Sequence, residues 1–245
     1  MFFFNKKKPI LGEMIPDNHL DFHSHLLFGI DDGAKDFEET LSLIEAMKSL
    51  GISEIITTPH VMSHVWENTK TAILEKEREV QQLLKAHQVS FSIKAAAEYL
   101  LDDSFVKLFK SEPLLTLKEN YVLVEMSYIN APLQLYDIIF ELQIAGYKPV
   151  LAHPERYNFY HQNFNEYKRL KNAGCLFQLN LLSTVGYYGE MVARTAEELL
   201  KKGMIDFAST DMHHLKHAAA FEGKVLYKDA KPLEEAIKQS TYFRS

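Results

Sequence analysis

With one cysteine in 245 residues, Cys175, the chain can close no internal disulfide, which fits a reducing cytoplasm. A positive excess is missing as well. Lys and Arg number 27 against 33 Asp and Glu, a net charge of −6 at pH 7, so no basic face is offered to nucleic acid. No apolar run approaches the roughly 20 residues of a membrane-spanning helix, and no Gly/Ser linker, low-complexity tract or charge block divides the chain. One domain is therefore expected, and 245 residues at 47% hydrophobic content suit a single α/β barrel. The opening "MFFFNKKKPILGEMIP" sets phenylalanines before lysines, the reverse of a secretory signal. It reads as a loosely ordered arm over residues 1–18, without stable membrane insertion, ahead of a domain spanning 19–245.

What the chain has is a recurring unit: an amphipathic helix, a glycine, then a short β-rich run ending in polar residues. It appears in "EAMKSLGISEIITTPH", "ELQIAGYKPVLAHPERY", "RLKNAGCLFQLNLLS" and "ELLKKGMIDFASTDMHH". Gly51, Gly146, Gly174 and Gly203 stand where a helix C-terminus favours a left-handed residue. Seven strands follow, at about 20–25, 54–58, 91–97, 121–126, 149–153, 176–181 and 206–210, with helices over 37–50, 69–86, 104–110, 133–145, 164–173 and 195–202. Such alternation predicts a parallel sheet covered by helices, and seven units predict a closed or nearly closed barrel.

The strand ends collect the residues best able to bind metal. Strand one ends in His23 and His25, strand two in His60, strand three in Glu98, strand four in Glu125, strand five in His153 and strand seven in Asp211 and His213. In a strand, alternation sets Asp21, His23 and His25 on one side. A lone His-x-His also describes two core histidines bonded to backbone, and a lone strand-end acid is often a helix cap. Together the case changes, because the loops after barrel strands share one cavity. Eight ionisable groups buried there are costly unless cations neutralise the carboxylates and use the imidazole lone pairs. His and carboxylate ligands without a thiolate point to Zn²⁺, Mn²⁺ or Fe²⁺. The surplus over four ligands points to a multinuclear catalytic site, suited to phosphoester hydrolysis.

The motifs "HSHLLFGIDDG", "TPH", "AAEY", "VEMS", "AHPERY" and "TDMH", in this order over nearly the whole chain, closely resemble the polymerase and histidinol phosphatase (PHP) family. The nearest branch resembles the capsular-polysaccharide protein-tyrosine phosphatases of the CpsB/YwqE type. The resemblance implies a distorted (β/α)7 barrel, TIM-barrel-like, holding up to three divalent metals, with Mn²⁺ preferred over Fe or Zn²⁺. It implies a cytoplasmic hydrolase that removes phosphate from an autophosphorylating bacterial tyrosine kinase controlling capsule and exopolysaccharide synthesis. By the same resemblance, His23, His25, Glu98 and Asp211 surround a first metal. Glu98 bridges to a second, completed by Glu125 and His153, and His60, His213 and one of Asp31 or Asp32 hold a third. Asp32 is preferred as the ligand, with Asp31 a neighbouring hydrogen-bond partner.

Arg156 and Asp31 are the candidates for catalysis beyond the metals. Arg156, three residues past His153, offers phosphoryl oxygens a planar donor fork. Some relatives carry an arginine soon after the "DMH" motif, where this chain reads "TDMHHLKHAAAFEG", which leaves Lys216 or His217 to stand in for it. The expected reaction is attack of a metal-bridging hydroxide on phosphorus, with a tyrosyl oxygen leaving. A cysteine phosphatase is excluded, since the residue six beyond Cys175 is Leu181 rather than arginine. Two further readings remain: a PHP phosphoesterase acting on a small metabolite such as histidinol phosphate, and a non-catalytic metal-binding docking module. Trp66, Tyr128, Tyr157, Tyr187 and Tyr188 are candidates to line a groove for an aromatic substrate. His19, His64, His87 and His161 are read as surface or capping residues.

Overall fold

The computed structural model describes residues 8–244. Its strands are β1 (His19–Asp21), β2 (Ile52–Thr57), β3 (His60–Val61), β4 (Ser92–Ala95), β5 (Glu98–Leu100), β6 (Tyr121–Glu125), β7 (Lys148–Ala152), β8 (Leu176–Asn180) and β9 (Phe207–Ser209). These nine segments make seven staves, since β2 and β3 are one strand interrupted at Thr58 and Pro59, and β4 and β5 are one strand interrupted at Ala96 and Ala97. Proline has no N–H to give the ladder. The order β1-β2-β4 continues across these breaks into β3-β5-β6-β7-β8-β9, with every named pair parallel. The first and last staves meet through an isolated parallel bridge between Ser24 and Met212.

That closure is a side-chain seam rather than a regular ladder. The Asp21 carboxylate accepts from Ser209 Oγ at 2.7 Å, Thr210 N at 2.7 Å and Thr210 Oγ1 at 3.0 Å, and Asp211 N donates to His23 O at 2.8 Å. The barrel is thus closed but distorted, a (β/α)7 architecture. The first strand is shorter than the 20–25 expected. Beyond Asp21 it loses strict alternation, and Asp21 serves the seam while His23 and His25 enter the mouth.

Outside run the helices α1 (Phe37–Ser49), α2 (Lys70–Ala86), α3 (Asp103–Ser111), α4 (Leu135–Ile144), α5 (Phe164–Asn172), α6 (Glu190–Lys201), α7 (Leu215–Ala220) and α8 (Lys231–Gln239). Asp36, Thr69 and Asp102 cap α1 to α3 by accepting from the backbone three residues on. Gly51, Gly146, Gly174 and Gly203 have φ between +63° and +92°, as helix-to-strand joints require. From the sequence, α6 is expected to start at 195. The helix begins five residues earlier because Val192 and Ala193 extend the buried face of Ala196, Leu199 and Leu200. α7 and α8 were not anticipated, although Leu233, Ala236 and Ile237 carry a helical period.

Two apolar layers result. Val122, Val124, Leu151, Phe177 and Leu179 face the helices, while Leu20, Phe22, Ile56, Leu123, Val150, Phe207 and Phe243 fill the barrel interior. Phe243 comes from the turn after α8 and lies 4.5 Å from Phe22 and 4.8 Å from Phe207, centroid to centroid. Phe243 therefore plugs the base. Of the 1–18 arm, residues 1–7 lie outside the described residues. Residues 9–12 are tied down: Val225 N donates to Pro9 O, Leu11 N to Gly223 O and Gly12 N to Phe221 O, each at 2.9 Å. Among the described residues no helix is long and apolar enough to cross a membrane.

Candidate metal centre

Period-two alternation builds the mouth directly above the plug. Leu123 and Glu125 are two apart on β6, and Ala96 and Glu98 two apart on the third stave, so the face that is apolar inside becomes acidic at the rim. At the ends of β7 and β9 the backbone turns sharply, with φ of 35° at His153 and 52° at Asp211. Left-handed conformations are unfavourable for residues with a Cβ and concentrate at functional sites.

Four overlapping groups of ligand-capable atoms result: His25, Asp32, His60 and His213; His23, Glu98 and His153; His23, His25 and Asp211; and His60, Glu98 and Glu125. Glu98 is the hub. Its Oε2 lies 3.3 Å from His23 Nε2, 3.6 Å from His25 Nε2 and 3.1 Å from His60 Nδ1, and its Oε1 lies 3.2 Å from His153 Nε2. Asp211 Oδ1 lies 3.2 Å from His23 Nε2, and Glu125 Oε1 lies 2.8 Å from His60 Nδ1. Asp32 Oδ1 lies 3.4 Å from both His60 Nε2 and His213 Nε2. Glu125 thus groups with His60 rather than with His153, unlike the partition that the resemblance implied.

Several of these atoms are buried and without a hydrogen-bond partner: His23 Nε2, His25 Nε2, His60 Nδ1, Glu98 Oε2 and Glu125 Oε1. Buried polar atoms are ordinarily paired, so lone pairs left facing one another fit shared cations. The opposite ring nitrogens are engaged. His23 Nδ1 donates to Gln178 Oε1 at 2.9 Å, His25 Nδ1 to Asp31 Oδ2 at 2.7 Å, and His213 Nδ1 to Asp211 O at 2.9 Å. Each bond leaves Nε2 as a bare acceptor and fixes the ring, as outer partners of ligand histidines do.

The electrostatics agree. Burial alone would lower the pKa of the His23 imidazole, but Glu98 and Asp211 outweigh it and hold that pKa well above the ordinary value. His60 behaves likewise beside Glu98, Asp32 and Glu125. Burial would raise Glu98, yet His23 and His60 hold it well below the carboxylate range. Protons therefore compensate the carboxylates when no cation does, and cation binding must displace them.

Asp31, expected among the catalytic residues, is withdrawn from the cavity. Its oxygens accept from His25 Nδ1, Gly33 N and His60 N, so it orients His25 and is not among the residues that line the cavity. Its loop requires Gly33, where an added Cβ would lie 2.0 Å from His25 O. Arg156 lines the cavity and donates Nη1 to Asp211 Oδ2 at 2.9 Å. Its guanidinium stacks 4.8 Å from the Tyr128 ring and 4.1 Å from the Tyr188 ring.

The cavity over the cluster measures about 220 Å³ and is lined by Asp32, His60, His153, Arg156, Asp211 and His213, among others. His217 lines it and Lys216 does not. Burial first, then His214 and His213, push the His217 pKa down to about 4, and its Nδ1 accepts from His213 N at 3.3 Å. His217 therefore brings a neutral N–H where a cation was sought. A more apolar cleft of about 260 Å³, between the 61–70 segment and α3, contains none of the four groups.

Two residues escaped the sequence reading. Gln178 holds His23, and Asn180 Nδ2 donates to Asp211 Oδ2 at 2.8 Å and to Tyr188 OH at 3.1 Å. Both belong to β8, the stave that had offered no ligand. Buried amides at alternate positions of an otherwise apolar strand were the available signal. His19, read as a surface residue, is 1% exposed. Cys175 is buried, which pushes its thiol up to about 12, unsuited to nucleophilic attack.

Comparison with known proteins finds relatives over most of the chain. The tyrosine-protein phosphatase YwqE of Bacillus subtilis (strain 168) is 27% identical over 209 residues, 85% of this chain and 82% of its own. The tyrosine-protein phosphatase CpsB of Streptococcus pneumoniae is 29% identical over 202 residues, 80% and 83% of the two chains. In three dimensions the chain superposes with a TM-score of 0.77 on a chain from crystal structures of YwqE and CpsB, described as metal-dependent tyrosine phosphatases. That match has 26% identity and covers 88% of this chain and 86% of the other. Histidinol phosphate phosphatase from Lactococcus lactis, at 14% identity and a TM-score of 0.50, shares the fold. The capsular polysaccharide synthesis CpsB/CapC family model matches residues 19–227, and the chain belongs to that family.

Proposed function

We propose that this protein is a metal-dependent protein-tyrosine phosphatase whose cytoplasmic substrate is a phosphotyrosine-bearing bacterial kinase of capsule or exopolysaccharide synthesis. The observation that carries the reading is the set of buried, unpaired lone pairs on His23, His25, His60, Glu98 and Glu125 converging beneath a cavity that holds one arginine. The family supports the substrate class, and the single, buried cysteine fits a reducing compartment.

Divalent cations, three by ligand supply and Mn²⁺ by preference, would be held by His23, His25, Asp32, His60, Glu98, Glu125, His153, Asp211 and His213, and would supply an acidified water and neutralise phosphoryl charge. The chain's own residues do the rest. Arg156 keeps donors beyond the one given to Asp211, and its guanidinium edge meets the equatorial oxygens of the phosphoryl group. His217 adds a neutral N–H. Asp31 and Gln178 keep His25 and His23 in one tautomer and orientation. The departing tyrosyl oxygen, with a pKa of about 10, needs little proton assistance.

Metal analysis coupled to turnover of a phosphotyrosyl peptide tests the reading. Purified protein is expected to contain Mn, Fe or Zn in stoichiometric amount and to release phosphate. His23→Ala is expected to lose metal and turnover together with the fold retained. Unchanged turnover would refute the assignment, and preference for histidinol phosphate would redirect it.

A further inference from the structure

Cations held by the four ligand groups would meet only the phosphoryl end of a monoester, so they cannot tell aryl from alkyl esters in binding, whatever the leaving group contributes to the chemical step. That choice falls to the cavity wall. Of the ten lining residues, eight present charged or imidazole groups and two present phenol rings, Tyr128 and Tyr188. The Tyr188 hydroxyl is held by Asn180, and its ring is fixed in the wall.

Tyr128 differs. It is 46% exposed although it lies at the cavity, and Ile129 and Leu133 in the same loop are exposed by 85% and 103%. Large apolar surface left in water is unfavourable unless something covers it. The Tyr128 ring lies 5.7 Å from the His153 ring at an interplanar angle of 24°, and 4.8 Å from the Arg156 guanidinium. It therefore stands beside two groups that line the phosphoryl end, with part of its surface uncovered.

Resting on the phosphatase reading above, we propose that Tyr128 is the residue by which this site selects aryl over alkyl phosphate monoesters. The exposed part of Tyr128 packs against the phenyl ring of the bound phosphotyrosine, while the phosphoryl group reaches Arg156 and the cluster below. Aromatic pairing of this kind favours offset or edge-on contact and discriminates by roughly tenfold.

The test uses the metal-loaded protein and two stable probes, phenylphosphonate and methylphosphonate, whose affinities are measured calorimetrically beside hydrolysis of matched phosphotyrosyl and phosphoseryl peptides. Wild type is expected to favour the phenyl probe. In Tyr128→Ala the phenyl-to-methyl affinity ratio falls about tenfold, whereas Tyr128→Phe keeps the ratio within about twofold. Equal weakening of both probes in Tyr128→Ala would mean that the ring only props Arg156 and would overturn the proposal. So would a ratio lost in Tyr128→Phe, which would assign the effect to the hydroxyl, or a wild type indifferent to the phenyl group. Phenyl preference without hydrolysis of any peptide would instead count against the phosphatase reading and leave the ring's role standing.

Discussion

Along β6, Leu123 and Glu125 point the same way two residues apart, yet one lies in an apolar plug and the other beside a partly buried imidazole. The two ends of the barrel interior are held by opposite means. At the base, Leu20, Phe22, Leu123, Phe207 and Phe243 gain free energy by leaving water and need nothing further. At the mouth, buried carboxylates and imidazoles confront one another with unpaired lone pairs, an arrangement that costs stability until cations or protons compensate it. A barrel of this kind draws stability from one end and places its chemistry at the other. Changes at the two ends are therefore expected to separate activity from stability.

The largest expected effect is at the hub. Glu98 reaches four imidazoles, so Glu98→Ala is expected to lower phosphotyrosyl-peptide turnover by a factor on the order of 10³ or more, about 4 kcal/mol. The thermal midpoint of the metal-free protein should fall little, or even rise. A variant that unfolds while its residual folded fraction stays active would invert the comparison. Phe243→Ala is the counterpart at the base. Removing a ring that contacts Phe22 and Phe207 is expected to cost about 3–5 kcal/mol of unfolding free energy. Urea denaturation reads this directly, while kcat below the transition should stay near that of wild type.

How much of this was legible beforehand follows the same division. The strand-end ligands could be read because polar residues after short apolar runs stand out, and because strand–helix alternation places all such ends in one cavity. Gln178 and Asn180 stand out far less, since neither ionises and only their alternation in an otherwise apolar strand marks them. The base was largely hidden too. Phe243 reaches Phe22 across more than two hundred positions of sequence, and no local period announces such a contact. His19 was misjudged because its burial depends on the same distant C-terminal segment.

His19 supplies a third test, at the base but by titration. It begins β1 with both ring nitrogens buried and without partners, and burial, with a smaller effect of Arg244, pushes its pKa from 6.5 down to about 4. The unfolded chain takes up this proton near pH 6.5 and the folded one only near pH 4. Its contribution is therefore intact above pH 6.5, is lost as the pH falls from 6.5 to 4, and changes no further below. The loss amounts to about 3 kcal/mol. Because the mouth also titrates, the measurement is the stability difference between wild type and His19→Gln at pH 7 and at pH 4. A difference that does not change with pH would show that His19 is already solvated or charged in the fold.

The smallest effect, and the sharpest probe of the mouth, is expected at Gln178. Its Oε1 accepts from His23 Nδ1 while its Nε2 donates to Leu179 O at 2.7 Å, so the amide cannot rotate without losing a bond, and His23 Nε2 stays free to face Glu98 and Asp211. Gln178→Leu keeps the volume of a residue that also packs on β8 but removes the acceptor, releasing His23 to the other tautomer. Metal affinity is expected to fall by about 10- to 100-fold, read by competition with a chromophoric chelator. Turnover should return when metal is added in excess, because no ligand has been removed. Gln178→Glu, which retains an acceptor at the same place, should fall less than Gln178→Leu. If excess metal fails to restore Gln178→Leu, the amide is required for more than orienting His23, and Gln178 belongs with the residues that hold the cations themselves.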